Sequence, residues 1–363
     1  MKNIAFLVDQ LIKSGPENIV LDICSHIDRK RFTPIIFSLK DESSQNSIEA
    51  DFKELGITIV HFSSTNWELE LKSVAVANEI HKKCIELNVD ILHAHTYHPT
   101  IIAANIRGVK KVVTIHNISG EDYVYKKGFF LGLYMMWRFN RSLSKFTQVI
   151  TISDYMTQYY DKICGNIHKI SNGVSVIPNN LWDVRDVRRE LSVDDSRFII
   201  TIIGSVSKRK NVEFALRELI RSKSDFLCLV IGAGDRLDYC KEITKDDCRF
   251  RFEGFKDNVQ KYLFVSNLYI SASLSEGLPL SVLEALNVGV PCALSDIPPH
   301  REIVETMSVP GLSVFSLSDN SLCRTLSLYY SVDYDKRSIS ERAHYLYSSQ
   351  VMTKSYQDIY EEI

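Results

Sequence analysis

Long apolar runs are missing from this chain of 363 residues. No stretch approaches the ~20 residues that a membrane-spanning helix needs. The opening run Ile4-Ala-Phe-Leu-Val8 is too short for a signal peptide, and no small-residue cleavage site follows it. It reads as a buried first strand, and the protein is expected in the cytoplasm. Paired cysteines are missing as well. Eight cysteines are scattered with no C-x-x-C among them, which suits buried, reduced thiols better than disulfides or a zinc site. Nor is there an excess of one charge. The formal net charge is -2, so no global field favours nucleic acid, and any basic site has to be local. Low-complexity tracts and short repeats are absent. The turn after the first strand lacks G-x-G-x-x-G, which argues against a nicotinamide-dependent enzyme.

What is present is an alternation of short apolar runs with longer helical patterns. Strands are expected at 4–8, 35–38, 57–61, 91–95, 112–116 and 149–153, and then at 198–203, 227–231, 250–253, 268–271 and 290–294. Most are apolar almost throughout, as strands covered on both faces are. Two successive arrays of this kind, in a chain too long for one core, predict an α/β protein with two doubly wound Rossmann-like domains facing across a cleft. The break is expected between Gly173 and about Asp195, where Pro178, Asn179 and Asn180 interrupt the pattern.

Residues 273–289 are the most informative. They read Ser-Leu-Ser-Glu-Gly-Leu-Pro-Leu-Ser-Val-Leu-Glu-Ala-Leu-Asn-Val-Gly and follow an expected strand. Pro279 suits the first turn of a helix and Gly289 its end. Free N–H groups at such a helix start favour an anion, for which a diphosphate is the obvious candidate. Gly277 permits close backbone approach. Side chains lean toward the helix N-terminus, so Glu284 reaches back toward the same place, where a carboxylate accepts two hydrogen bonds and suits a ribose diol. Glu276 precedes the helix. Either glutamate alone would read as a solvated surface acid.

The Glu276 and Glu284 pair, with Gly277-Leu278-Pro279-Leu280 between them and Gly289-Val-Pro291 beyond, resembles the signature of the family-4 retaining glycosyltransferases of GT-B fold (glycosyl transferases group 1). The resemblance implies that Glu276 contacts the donor sugar and that Glu284 holds the ribose hydroxyls. It implies residues 1–175 as an acceptor-side domain, 176–345 as a nucleotide-sugar donor domain, and 346–363 as a helix crossing back to the first. The loop Gly204-Ser-Val-Ser-Lys-Arg-Lys210 resembles the family's basic phosphate loop, with Ser205 where the family commonly has Arg. Lys210 matches the family Lys, and Lys208 or Arg209 stands in for the missing cation. Gly254 and Phe255 resemble the turn that packs against the base.

In the first half, Gly15 and Pro16 mark a strand-to-helix turn facing donor phosphates or acceptor. His116 falls where the family has a histidine near the donor sugar, and is counted with Glu276 and Lys210 as catalytic. His93 and His95 end the preceding strand and are expected to make acceptor-side polar contacts; no metal is expected. Residues 125–146 hold Lys126, Lys127, Arg138, Arg141 and Lys145 and no acid. As a helix they place Phe129, Leu133, Met136, Phe139, Leu143 and Phe146 on a core stripe and Phe130, Tyr134 and Trp137 on a second. That second stripe is either packed or lies on a membrane's inner leaflet.

The function implied is retaining transfer of a hexose-type sugar from a nucleoside-diphosphate sugar, by default a UDP-sugar, to a glycan or lipid-linked glycan, as in bacterial surface-polysaccharide synthesis. No cofactor is implied. The competing readings are a GT-B-like nucleotide-sugar epimerase and a non-catalytic nucleotide-sugar-binding subunit.

Overall fold

The structure is a computed structural model that describes residues 1–41, 46–178, 181–194 and 196–363, with backbone alone at 122 and 125–127. Asn179, Asn180 and Asp195, and the side chains of Lys126 and Lys127, lie outside the described residues. The chain divides into two compact units: Met1–Gly173 with Ser349–Ile363, and Val174–Ser348.

The N-terminal unit is built on β1 (Lys2–Val8), β2 (Phe32–Ser38), β3 (Thr58–His61), β4 (Ile91–His95), β5 (Lys110–Ile115), β6 (Gln148–Thr151) and β7 (Ile167–Lys169). All neighbours pair in parallel, in the order β3-β2-β1-β4-β5-β6-β7. The C-terminal unit repeats the scheme with β8 (Ile199–Ile203), β9 (Leu227–Ile231), β10 (Phe250–Gly254), β11 (Leu268–Ser271), β12 (Cys292–Ser295) and β13 (Leu312–Phe315), ordered β10-β9-β8-β11-β12-β13. In each sheet the order reverses once, between β1 and β4 and between β8 and β11. Ligands of open α/β sheets bind beyond the carboxyl ends of the strands at such a reversal.

The near-continuous apolar strands are explained by cover on both faces. In the C-terminal unit Ile200, Ile202, Cys228 and Val230 join one core, while Ile199, Leu227, Leu229 and Ile231 join another across the sheet. The strands not anticipated, β7 and β13, are edge strands of three and four residues, too short and too little buried to carry an apolar run. The helix Ser349–Glu362 belongs to the N-terminal unit. Its Tyr356 and Tyr360 are fully buried, Tyr360 lies edge-on to Phe6 and Phe32, and Lys2 Nζ donates to its carbonyl at 2.8 Å.

Residues 129–143 form one helix, but its core face is Gly132, Met135, Phe139, Ser142 and Leu143. Phe129 and Leu133, expected in the core, are exposed. The cause is the preceding helix, Ser119–Lys127, which doubles back across Gly132. A Cβ there would sit 2.6 Å from Val124 Cα, so only glycine allows the approach, and that approach sets the rotation of the helix.

All eight cysteines are free; six are buried as expected, while Cys248 is exposed and Cys323 half-buried. Among the described residues no helix is long and apolar enough to cross a membrane.

Candidate active site

The reversal between β8 and β11 brings together residues 66 apart in sequence. β8 ends at Ile203, and Gly204 follows at φ +136, a conformation that L side chains rarely adopt. Gly232, after β9, sits so close that a Cβ would meet Gly204 O at 1.9 Å. These glycines let two strand-end turns stack, and the first delivers Arg209 and Lys210 to the loop after β11.

There Glu276 is buried, 6% exposed. Its Oε1 accepts from Lys210 Nζ at 2.6 Å and from Ser273 Oγ at 2.7 Å. Its Oε2 accepts from Arg209 at 2.9 Å, and the same guanidinium donates to Ser275 O at 2.7 Å. Burial alone would raise the carboxyl, but Lys210 and Arg209 beside it bring it down to about 2. One carboxylate against two cations leaves the cluster with net charge +1. Lys208 is exposed and has no part in it. Of the two cations proposed to replace the one missing at Ser205, the structure brings Arg209 to Glu276 and leaves Lys208 in solvent.

The helix after this loop is Leu280–Asn287, with Pro279 in the cap position and Val288 closing it. Proline has no side chain able to cap the helix; Val282 N–H closes the first turn on Pro279 O at 3.1 Å, and the N–H groups of Leu280 and Ser281 have no partner within the helix. Gly289 (φ +85) turns the chain away, where a Cβ would strike Lys336 O. Gly277, Leu278 and Pro279 are buried, and Glu284 is half-buried one turn in. Glu276 and Glu284 are both near enough to Tyr269 to help hold its phenol, raised chiefly by burial, above its ordinary range. Gly254 ends β10 at φ +70, with Phe255 beyond it 48% exposed, outside the core.

Beneath Glu276 lies a buried network that residue spacing did not reveal. Ser295 Oγ donates to Ser273 O at 2.6 Å, and His300 Nδ1 lies 2.8 Å from Ser295 O. Burial pushes His300 down to about 4, so this imidazole is neutral and acts as a fixed hydrogen-bonding support. The available signal was Ser295 at a strand end, followed by a Pro-Pro-His helix start.

In the N-terminal unit the carboxyl ends of β1, β4 and β5 carry Asp9, Thr96, His98 and His116. Thr96 is held at φ +69 and donates to Asp9 Oδ2 at 2.7 Å. His98 lies between Asp9 (3.0 Å) and Glu70 (3.1 Å). Gly15 is exposed, and Pro16 sits in the first turn of the helix Gly15–His26, whose Glu17 is buried beside the Ser14 hydroxyl. His116 stands just past β5, its Nε2 3.0 Å from Nδ1 of His95. His93 and His95 are fully buried, which corrects the expectation of contacts with an acceptor. His93 instead bridges Tyr360 Oη and Thr114 Oγ1, at 2.7 and 2.9 Å. The other nitrogen of His95 is buried without a partner. A bare acceptor is tolerated there better than an orphaned N–H. His95 Nδ1–H is therefore the donor, and His116 is left to offer an N–H from its own Nδ1. Burial lowers His116 to about 4, so the ring is neutral at physiological pH.

Both halves of the chain match models of one enzyme class. The model described as Glycosyltransferase Family 4 covers residues 13–177, and that described as Glycosyl transferases group 1 covers 183–343. The chain is 22% identical to the O-antigen biosynthesis glycosyltransferase WclY of Escherichia coli, over 99% of this chain and 98% of that protein. It is 27% identical to the Escherichia coli UDP-Gal:alpha-D-GlcNAc-diphosphoundecaprenol alpha-1,3-galactosyltransferase, over 57% of this chain and 58% of that one. HepE of Anabaena, solved in complex with UDP, shares the fold with a TM-score of 0.82 at 16% identity, over 100% of both chains. Matched along both halves and built from two Rossmann-like parallel sheets, the chain belongs to the family-4, group 1 glycosyltransferases of GT-B fold and is a transferase enzyme.

Proposed function

We propose that the C-terminal unit binds a nucleoside-diphosphate sugar, a UDP-sugar by default, and that the enzyme transfers its hexose-type sugar with retention to a hydroxyl of a glycan or lipid-linked glycan. The observation that carries this reading is the cluster of Lys210, Arg209 and Glu276 at the uncapped start of the Leu280–Asn287 helix. A net positive cluster beside free N–H groups is suited to a diphosphate. The names of two similar proteins agree in kind: HepE was solved with UDP, and the galactosyltransferase of Escherichia coli is named for UDP-Gal and a diphosphoundecaprenol-linked acceptor. WclY is named for O-antigen biosynthesis, which supports a role in surface-polysaccharide assembly.

In the step proposed, the bond between the anomeric carbon and the diphosphate oxygen breaks while the acceptor oxygen bonds to the same face. The acceptor proton passes to the leaving phosphate oxygen. The cations and the helix start stabilise the departing charge. Glu276 stays ionised at any physiological pH and is tied to two cations, so it is a poor proton donor and a hindered nucleophile. Its role is to position the sugar and to hold Lys210 and Arg209 in place. Glu284 holds the ribose. His116 offers its Nδ1–H to the sugar, and the turn at Gly15 and Pro16 faces phosphates or acceptor. No divalent metal is required, since the cations supply the charge.

A thermal-shift screen against nucleotides and nucleotide sugars tests this reading. Stabilisation by one nucleoside diphosphate and its sugar, abolished in Lys210→Ala, is expected. No stabilisation by any of them would remove the reading.

A further inference from the structure

The Phe129–Leu143 helix leaves an unusual surface on the N-terminal unit. Phe130 (87% exposed), Tyr134 (50%) and Trp137 (56%) follow one another at helical spacing. Arg141 continues the line and is exposed, its guanidinium 5.7 Å from the centre of the Trp137 ring, and Lys145, just past the helix end, is exposed as well. Phe129, Leu131 and Leu133 flank it, also exposed. A soluble helix rarely turns three aromatic rings to water when it already has a core face.

Two neighbouring features extend the surface. Arg138 donates to the Glu70 carboxylate at 2.5 Å and to Ser73 at 3.3 Å, fastening this helix to a segment that exposes Trp67, Leu71 and Val74. Beyond the other end, Lys145 lines an open pocket with Arg107 and Lys111. Burial, with Lys145 and Arg107 close by, holds the Lys111 ammonium below its ordinary range.

Direction matters too. In a right-handed β-α-β crossover the helix runs back against the strands. The aromatic end of this helix therefore lies toward the carboxyl end of the sheet, with Asp9, His98 and His116. The cationic end lies toward the opposite edge.

We infer that this face, from Phe130 to Lys145, docks the enzyme on an anionic phospholipid surface, with Phe130, Tyr134 and Trp137 in the interface and Arg141 and Lys145 on the headgroups. Charge complementarity selects the occupant, because 125–146 contains no acid. Aromatic rings bordered by Arg and Lys are the composition of a lipid-water boundary. The inference rests on the transfer reading only for its purpose, which is to hold the acceptor side of the enzyme against a lipid-linked substrate.

The test is flotation of the full chain with vesicles containing phosphatidylglycerol, against vesicles of phosphatidylcholine alone. The expected result is binding to the anionic vesicles that weakens with salt. It should fall by at least about tenfold in Phe130→Ser/Tyr134→Ser/Trp137→Ser and lose its salt dependence in Arg141→Glu/Lys145→Glu. Melting curves check that both variants remain folded. Absence of wild-type flotation, or unchanged flotation in the triple variant, overturns the inference. So does a lipid-free dimer in sedimentation that the triple variant dissolves, since the face would then belong to a second copy. Nucleotide binding by the same preparation is scored separately. Its failure would strike the donor reading and leave the vesicle result standing.

Discussion

Glu17 and Glu276 are buried alike, at 4% and 6% exposed, each beside the ligand end of its sheet. Yet burial, with Asp9 nearby and only the Ser14 hydroxyl and a backbone N–H for relief, raises Glu17 to about 7. At Glu276 Lys210 and Arg209 outweigh the same burial and bring the carboxyl to about 2. Glu276 is thus a fixed anion held between two cations, whereas Glu17 is a buried carboxyl that titrates near neutral pH. Burial does not decide the charge state of a carboxyl; the partners buried with it do.

The signs of their pH effects are opposite. Glu276 is lowered, so its contribution to stability is present above its ordinary 4.5 and is lost as pH falls through about 2. Glu17 is raised, so the fold prefers its neutral form, and stability declines as pH climbs from 4.5 through about 7.

The largest effect that would sharpen the contrast is catalytic. Glu276→Ala and Lys210→Ala should each lower kcat by about 10³-fold with the fold retained, by initial rates and circular dichroism. Near-normal rates in both would break the site assignment. Next, Glu17→Gln should stabilise the protein at pH 8 by at most about 3 kcal/mol, shrinking to below about 1 kcal/mol at pH 5. Calorimetric melts at the two pH values measure this, and a gain that does not depend on pH would refute it. Arg209→Ala should cost about 10²-fold in kcat, whereas Lys208→Ala should stay within about twofold. Equal losses would mean that the exposed Lys208 reaches the substrate. Glu284→Ala should weaken donor binding by about tenfold in titration calorimetry, with kcat less affected. The smallest effect is an absence. His116 titrates at about 4, so kcat/KM should show no histidine limb between about pH 5 and 8. A limb near 6 that disappears in His116→Asn would contradict that placement.

The two halves also differed in how much could be read beforehand. The cluster around Glu276 was legible because Glu276, Gly277, Pro279 and Glu284 belong to one strand-loop-helix junction, where backbone geometry ties sequence spacing to position. Lys208, Arg209 and Lys210 were legible as a basic loop, but not that Arg209 rather than Lys208 would join Lys210 at Glu276. The support from Ser273, Ser295 and His300 was hidden, because two serines at strand ends and a histidine in the next helix look like any others. In the N-terminal unit less was visible. His93 looked like a ligand contact and is a buried link to Tyr360. Asp9, Thr96, His98 and Glu70 meet only through strand order. The expected core stripe held at Phe139, Leu143 and Phe146, which are buried, and failed at Phe129 and Leu133, which are exposed, because helical periodicity gives a spacing and not a rotation. Gly132 against Val124 sets the rotation.

From the sequence alone came the class of fold, the parallel sheets and the place of the helix start beside Glu276. These follow from local patterns, namely apolar runs, glycine and proline placement, and charges within a few residues. Only the tertiary structure decided that Arg209 joins Lys210 in neutralising Glu276, that no cation among the described residues lies beside Glu17, and which rings of the Phe129–Leu143 helix face solvent. Those outcomes depend on which distant segments pack together, and strand order and helix rotation are set by contacts that no local spacing records.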